Sequence, residues 1–312
     1  MTSPSQAHHA LHIEDLYKTY PSGVEALKGI NLSVKKGDFF ALLGANGAGK
    51  STTIGAVSSL LKKTAGTIQI NGHDLDRQPI LAKKSLGLVP QEINLNVFEQ
   101  CEQILITQAG YYGLTRKEAQ KRAEMLLKQV GLWHKRDTIV RYLSGGMKRR
   151  LMIARALIHH PSVLLLDEPT AGVDIEIRHA IWELLKEINA SGTTIILTTH
   201  YLEEAEQLCN QLAIIHQGSI AAQNTIKKVL HSLHHQTFIF DIVHPLRALP
   251  DLHPFAGILV DANQIELRVD NDYSLNEIFT VFDKHKIQVH SMRNKTNRLE
   301  ELFMDIIHHE TT

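Results

Sequence analysis

The chain of 312 residues offers little that would tie it to an oxidising compartment, a bilayer or a polyanion. Cysteine occurs twice, as Cys101 and Cys209, far apart and without CxxC spacing. That excludes a disulfide framework or a zinc ribbon and fits two reduced thiols. No apolar run approaches the roughly 18 residues needed to span a hydrocarbon core, so any membrane crossing in its work falls to another chain. The opening residues, MTSPSQAHHA, lack a basic start followed by an apolar stretch and do not read as a signal peptide. Neither sign of charge is in excess: 33 Lys and Arg stand against 33 Asp and Glu. A net charge of zero argues against binding driven by bulk attraction to nucleic acid or anionic lipid, and no nucleic-acid partner is expected. There is no internal repeat, no low-complexity segment and no sustained heptad.

What is present fits a globular protein, with 43% hydrophobic and 21% charged residues. Histidine is frequent (19) and often paired, as in His159-His160, His234-His235 and His308-His309. Neighbours in sequence point in different directions on a helix, so these pairs read as surface residues rather than a metal face.

Residues 1–10 are expected to be disordered. From residue 11 short β-rich runs alternate with turns: Leu11–Tyr17, Asn31–Val34, Phe39–Leu43 and Thr67–Ile70 read as strands. Glu99–Gln108, Arg116–Val130 and Lys148–Ile158 read as helices within a helical insert over about 92–160, which Pro161 closes. Strands Val163–Leu166, Thr194–Thr198 and Leu212–Ile215 then alternate with helices Ile177–Asn189 and Leu202–Cys209. The expected fold is α/β: a parallel sheet with helices on its faces, interrupted by the helical insert, over 11–224. Past about residue 224 the texture changes. His231–Gln236 reads as a polar joint, Phe238–Val243 and Ile265–Val269 as half-buried strands, and Leu275–Phe282 as a helix. Leu299, Leu302, Phe303, Ile306 and Ile307 form a helical stripe. Residues 225–312 are thus expected to form a small α+β accessory domain.

Gly44-Ala45-Asn46-Gly47-Ala48-Gly49-Lys50-Ser51 matches GxxxxGK[ST], between an expected strand and an expected helix. The glycines let backbone N–H groups from about Asn46 to Ser51 turn inward around phosphates, and the helix points its positive end at the same anion. In such a loop Lys50 reaches the β- and γ-phosphates, the Ser51 hydroxyl ligates Mg²⁺, and Thr52 can donate to the α-phosphate. The competing reading is an accidental glycine-rich turn.

Val163-Leu164-Leu165-Leu166-Asp167-Glu168 is an apolar run ending in two acids, the pattern of a buried parallel strand that presents carboxylates at its C-terminal end. Asp167 suits a Mg²⁺ site reached through water, and Glu168 suits a general base for an attacking water. Two solvated acids at a strand end are the alternative. Between these two motifs stands Leu143-Ser144-Gly145-Gly146-Met147. Ser144, Gly145 and Gly146 open a helix with free N–H donors, so the chain carries a second anion site apart from the first.

With those three motifs the sequence resembles the ATP-binding cassette family, whose signature is usually written LSGGQ; Met147 replaces the glutamine. The run LSGGMKRRLMIARA (Leu143–Ala156) and the tail residues 292–303 look close to the YadG-like subgroup of ABC-2 type exporter subunits. The cassette resemblance covers about residues 11–222. It implies a P-loop NTPase core with antiparallel β and helical subdomains, ATP and Mg²⁺ as ligands, and ATP hydrolysis coupled to export. It also implies further site residues. Tyr20 resembles the aromatic residue that stacks on adenine, and Gln91 the Q-loop glutamine near Mg²⁺ and the water. Asp174 resembles the D-loop acid that crosses to a partner subunit, and His200 the H-loop residue that contacts the γ-phosphate. The implied partners are a second copy of the chain, sandwiching two ATPs, and a separate integral-membrane ABC-2 type permease. The implied location is the cytoplasmic face of the plasma membrane, reached through that permease. Residues 92–112 are candidates to dock it, although ordinary helix packing explains them equally well. A soluble ATPase of the same family acting on ribosomes or nucleic acid is the competing function. A P-loop GTPase lacks support, since no NKxD-like motif is present.

Overall fold

The computed structural model describes residues 9–231, 235–270 and 272–295. The chain divides into two compact units, Met1–Asn224 and Thr225–Thr312.

The first unit runs through β1 (His9–Thr19), β2 (Glu25–Lys35), β3 (Phe39–Leu43), α1 (Lys50–Val57), β4 (Ala65–Ile70), β5 (His73–Asp74), α2 (Pro79–Lys84) and β6 (Leu86–Val89). A helical section follows, with α3 (Cys101–Tyr111), α4 (Arg116–Gln129) and α5 (Gly145–Leu157). The chain then returns to α/β order through β7 (Val163–Asp167), α6 (Ile175–Ala190), β8 (Thr194–Thr199), α7 (Leu202–Leu208), β9 (Gln211–His216) and β10 (Ser219–Thr225). The first strand starts at His9, so His9 and Ala10 are not part of a disordered stretch as expected; residues 1–8 lie outside the described residues.

Two sheets organise this unit. One is antiparallel, in the order β2-β1-β4-β5; the other has the order β10-β9-β3-β8-β7-β6. In the second, β3 pairs in parallel with both β8 and β9, and β7 pairs in parallel with β8 and β6. Sequence and burial agree on which is which. The strands Phe39–Leu43 and Val163–Asp167 are buried at every position, as parallel strands covered on both faces must be. In β1 the buried residues Leu11, Ile13 and Leu16 break strict alternation. The register shifts between Ile13 and Leu16, and Asp15 adopts φ 46° there. This bulge returns Leu16 to the core face.

The helical section is tied down by its ends. Thr115 and Glu118 form a capping box at the start of α4. Arg122 of α4 donates to the carbonyls of Leu157 and Ile158, where α5 terminates. His159 follows. Its Nε2 lies 3.0 Å from the Leu86 carbonyl, and its ring stacks on Tyr112 with centroids 3.6 Å apart. Among the described residues no helix is long and apolar enough to cross a membrane.

The second unit contains α8 (Ile226–His231), β11 (His235–Ile242), β12 (Ala256–Asp261), β13 (Gln264–Asp270), α9 (Leu275–Lys284) and β14 (Val289–Asn294). Its sheet has the order β12-β13-β11-β14 with antiparallel pairing throughout. Phe240 meets Phe282 of α9 edge to face at 5.0 Å, the centre of a small core with Ile265, Leu267 and Ile278. The edge strands β12 and β14 were not anticipated from sequence. Both are largely exposed, so neither needs the alternation that marks β11 and β13. The expected joint at His231–Gln236 falls partly within α8 and β11, and residues 232–234 lie outside the described residues. So does the tail stripe from Leu299 to Ile307.

Burial pushes the His159 pKa down to about 4, helped by the nearby Arg122 and His160 charges and opposed by the Leu86 hydrogen bond. A free histidine titrates near about 6.5, so the unfolded chain takes up this proton first on acidification. Stability therefore falls as pH drops through that interval. His159→Gln, which keeps a donor for Leu86 but cannot titrate, should lose less stability than the wild type between about pH 7 and about pH 5. Urea melts of both proteins at the two pH values test this; equal losses would refute it.

Candidate functional site

The parallel pairing puts the C-terminal ends of β3, β8, β7 and β6 side by side, and each end delivers a different group. After β3 comes the glycine-rich turn into α1. Two glycines there are obligatory for space. A Cβ on Gly44 would meet the Ile215 carbonyl oxygen at 2.6 Å; one on Gly49, at φ 117°, would meet Ile215 and Leu27 at 2.9 Å. Gly47 has φ 80° and Ala48 is buried. Lys50 is only 5% exposed, and its Nζ donates to the Gly44 and Ala45 carbonyls at 2.8 and 3.1 Å. Burial lowers its pKa, while the Glu168 and Asp167 charges oppose that shift and favour the ammonium.

After β7 come the two acids. Asp167 Oδ1 accepts from the buried Thr198 hydroxyl and lies 3.5 Å from Ser51 Oγ, joining β7, β8 and α1. Glu168 adopts φ 46°, a conformation that costs a non-glycine residue about 1–3 kcal/mol. Its N–H donates to the Thr198 carbonyl and to the Thr198 hydroxyl oxygen, both at 3.1 Å, and these bonds hold it there. It lines the same cleft as the glycine-rich loop. Gln91 Nε2, from the segment after β6, donates to Glu168 Oε2 at 3.2 Å. His200 Nδ1, from the turn after β8, lies 3.2 Å from Oε1.

These groups enclose a cleft of about 560 Å³. Asn46, Gly47, Gly49, Lys50, Ser51 and Thr52 form one wall, and Gln91, Glu168, Ala171 and His200 the other. Tyr20 stands at the same helix, its hydroxyl 3.4 Å from Thr52 Oγ1 and its ring under Lys18.

The second anion motif lies apart from this cleft: none of Ser144, Gly145, Gly146 or Asp174 lines it. Ser144 caps α5, its Oγ accepting the Met147 N–H at 3.3 Å. Gly145 faces open space, whereas a Cβ on Gly146 would strike Ile177 of α6 at 2.7 Å. Asp174 caps α6 by accepting the Ile177 N–H at 2.8 Å. Close packing at Gly146 thus brings two capped helix N-termini together.

Sequence reading missed residues that shape the site, Thr198 and Arg149 among them. Thr198 is buried and holds both acids. Arg149 of α5, 5% exposed, donates to the carbonyls of Pro90 at 3.0 Å and Gln91 at 2.8 Å. It joins the helix headed by Ser144 to the backbone of Gln91. The only hint was a basic residue on a helix face that buries Met152 and Ile153.

A glycine cradle after a parallel strand, a buried lysine within it and a strained acid opposite define a P-loop nucleoside-triphosphate hydrolase. Residues 27–171 match the family described as ABC transporter. The linearmycin resistance ATP-binding protein LnrL of Bacillus subtilis is 36% identical over 304 residues, covering 95% of this chain and 97% of that one. The Nod factor export ATP-binding protein I of Ralstonia nicotianae is 43% identical over 213 residues, 68% of this chain and 66% of that protein. Among solved structures, cbiO1 from Clostridium perfringens superposes with a TM-score of 0.66 at 33% identity, covering 72% of this chain and 92% of its own. The cassette MJ0796 in a dimeric post-hydrolysis state with ADP and Pi gives 0.63 at 28% identity, covering 69% and 98%. The chain belongs to the ABC transporter ATP-binding family and is an ATPase.

Replacing Arg149 by Met keeps the aliphatic stem and removes both hydrogen bonds. Each orphaned carbonyl is expected to cost about 1–3 kcal/mol, measurable by denaturant unfolding, with new proteolytic cleavage around residues 90–94. An unchanged unfolding midpoint would exclude Arg149 as the clamp on this segment.

Proposed function

We propose that the chain is the ATP-hydrolysing subunit of an ABC-2 type exporter, acting as a homodimer with two ATPs sandwiched between the copies. The observation that carries this reading is the division of labour in the site. One cleft holds cradle and acid together, while the second anion motif opens elsewhere. A motif that cannot serve its own cleft suits the nucleotide of a neighbouring copy, and two copies related head to tail satisfy both at once.

Within the cleft, the backbone from Asn46 to Ser51, Lys50 and Thr52 bind the phosphates, and Tyr20 stacks on adenine. Ser51 and Asp167 are oxygen donors on facing elements and fit Mg²⁺, with the Gln91 side chain beside them; the ion would neutralise phosphate charge. Glu168 takes the proton of the attacking water. Gln91 and His200 grip its two carboxylate oxygens and so fix the direction in which it accepts. With Nδ1 of His200 turned to Glu168, Nε2 remains for the γ-phosphate. Positioning and charge neutralisation account for most of phosphoryl transfer, and these residues supply both. Ser144, Gly145 and Gly146 of the partner copy would close over the γ-phosphate, with Asp174 at the same junction. Hydrolysis would remove that bridge and favour opening.

The permease would be a separate polypeptide, consistent with the lack of a membrane-spanning helix among the described residues. Its docking groove is the cleft of about 430 Å³ where Ser58 and Leu60 face Asn94, Gln108 and Tyr112. Leu60, Phe98 and Tyr111 are exposed nearby, at 69%, 73% and 82%. Docking there would hold the ATPase at the cytoplasmic face of the membrane. Residues 225–312 form the accessory unit. The relatives named for Nod factor export and linearmycin resistance support the exporter assignment. Stable association with ribosomes, and none with a permease, would overturn it.

Glu168→Gln should retain ATP binding and lose turnover by a factor on the order of a hundred or more, trapping a dimer seen by size exclusion. Near-normal hydrolysis would remove Glu168 from its role. Adding Ser144→Arg to that variant should leave nucleotide binding by the monomer intact and abolish the trapped dimer. A normal ATP-dependent dimer would refute the sandwich.

A further inference from the structure

Glu204, in the first turn of α7, has no exposed surface, and the hydrolytic scheme above makes no use of it. Taking a carboxylate out of water costs several kcal/mol unless hydrogen bonds offset it. Here they come from separate elements. Oε1 accepts from Thr170 Oγ1 at 2.9 Å and from Trp182 Nε1 at 3.0 Å. Burial raises the Glu204 pKa, and the Thr170 and Trp182 hydrogen bonds and the Arg178 charge act against that rise. Oε2 is buried without a hydrogen-bond partner. An apolar side chain would fill this space without the desolvation cost. What a carboxylate adds is direction: fixed points to which a hydroxyl and an indole must aim.

The identity of the partners gives that direction a purpose. Thr170 lies in the turn between Glu168 and Asp174. Trp182 is about two turns along the helix that Asp174 caps. Glu204 itself sits in the first turn of the helix that follows His200, its N–H donating to the Tyr201 carbonyl at 3.1 Å. A second set of contacts follows the same junction. The Arg178 guanidinium sits over the Tyr201 ring at 4.7 Å, the Tyr201 N–H donates to Thr199 Oγ1 at 3.0 Å, and the Tyr201 and His200 rings lie 4.1 Å apart. None of the groups acting on Glu204 belongs to β3 or α1, the elements that build the phosphate cradle.

We infer that Glu204 is a positioning residue. It fastens the turn after Glu168, the helix headed by Asp174 and the turn carrying His200 into one junction, so that displacement at Asp174 is passed to Glu168 and His200. This rests on the proposed roles of those three residues. The cradle stands outside the junction, so loss of the anchor should impair turnover and spare nucleotide binding.

The test uses the full chain with Mg²⁺ and ATP. Glu204→Leu should lower kcat about tenfold or more while the ATP Kd stays within about threefold of wild type. Glu204→Gln keeps an acceptor for Thr170 and Trp182 and should recover kcat to within about threefold. Trp182→Phe removes one donor and leaves the carboxylate, and should give an intermediate fall in kcat at unchanged Kd. Wild-type kcat in Glu204→Leu overturns the inference, as does a parallel loss of kcat and ATP binding, or a Gln variant as impaired as Leu. If the Leu variant does not fold, unchanged kcat in Trp182→Phe overturns it. Glu168→Gln serves as the control. Normal hydrolysis by that variant refutes the underlying roles, whereas an inactive Glu168→Gln beside an unaffected Glu204→Leu refutes only the anchor.

Discussion

Backbone hydrogen bonds between β3 and β8, and between β8 and β7, set the distance between the phosphate cradle and the acid that faces it. Leu43 is in register with Thr199, and Thr198 with Asp167. The chain therefore leaves the sheet at neighbouring points, with the cradle, His200 and the acid pair emerging within a few strand widths of about 4.8 Å each. Every contact in the cleft depends on that pairing. A register slip by one residue would turn Asp167 to the opposite face of the sheet and break its contacts with Ser51 and Thr198.

Around this edge the protein holds an unusual concentration of buried polar groups. Lys50, Asp167, Arg149, Thr198 and Glu204 are each less than a tenth exposed. None has its charge cancelled by a close, fully buried ion pair. Instead each is matched to neutral donors or carbonyls: Lys50 and Arg149 to main-chain oxygens, Asp167 and Glu204 to hydroxyls and an indole. Such contacts are directional. They fix loops that carry no regular structure of their own. Stability here is subordinated to geometry, as the left-handed backbone at Glu168 also indicates.

The legible parts of the molecule were those whose chemistry is local. Gly44–Ser51 could be placed between strand and helix because only glycine tolerates the crowding at Gly44 and Gly49. The apolar run Val163–Leu166 could be recognised as a buried strand because every position is covered. The helix start at Ser144 announced itself in the same way. Strand boundaries were less legible: β1 and β2 extend beyond the apolar core of their sequences because ladder hydrogen bonds continue into polar residues. The edge strands β12 and β14 escaped notice since solvent, not packing, faces most of their side chains. At the site, Arg149 and Glu204 escaped because nothing in their sequence neighbourhoods distinguishes them from solvated helix residues.

By itself, the sequence determined the family and the candidate site: the residues proposed to surround a phosphate, the acid proposed to serve a water, and two separate glycine-containing helix starts. Those properties follow from steric freedom and side-chain chemistry over a few adjacent residues. Tertiary structure alone decided which of these groups meet. That Glu168 is gripped by Gln91 and His200, that Arg149 joins the signature helix to the Gln91 backbone, and that Glu204 gathers Thr170 and Trp182 all depend on strands and helices far apart in the chain. Their contacts are set by sheet order and close packing, which no local pattern encodes.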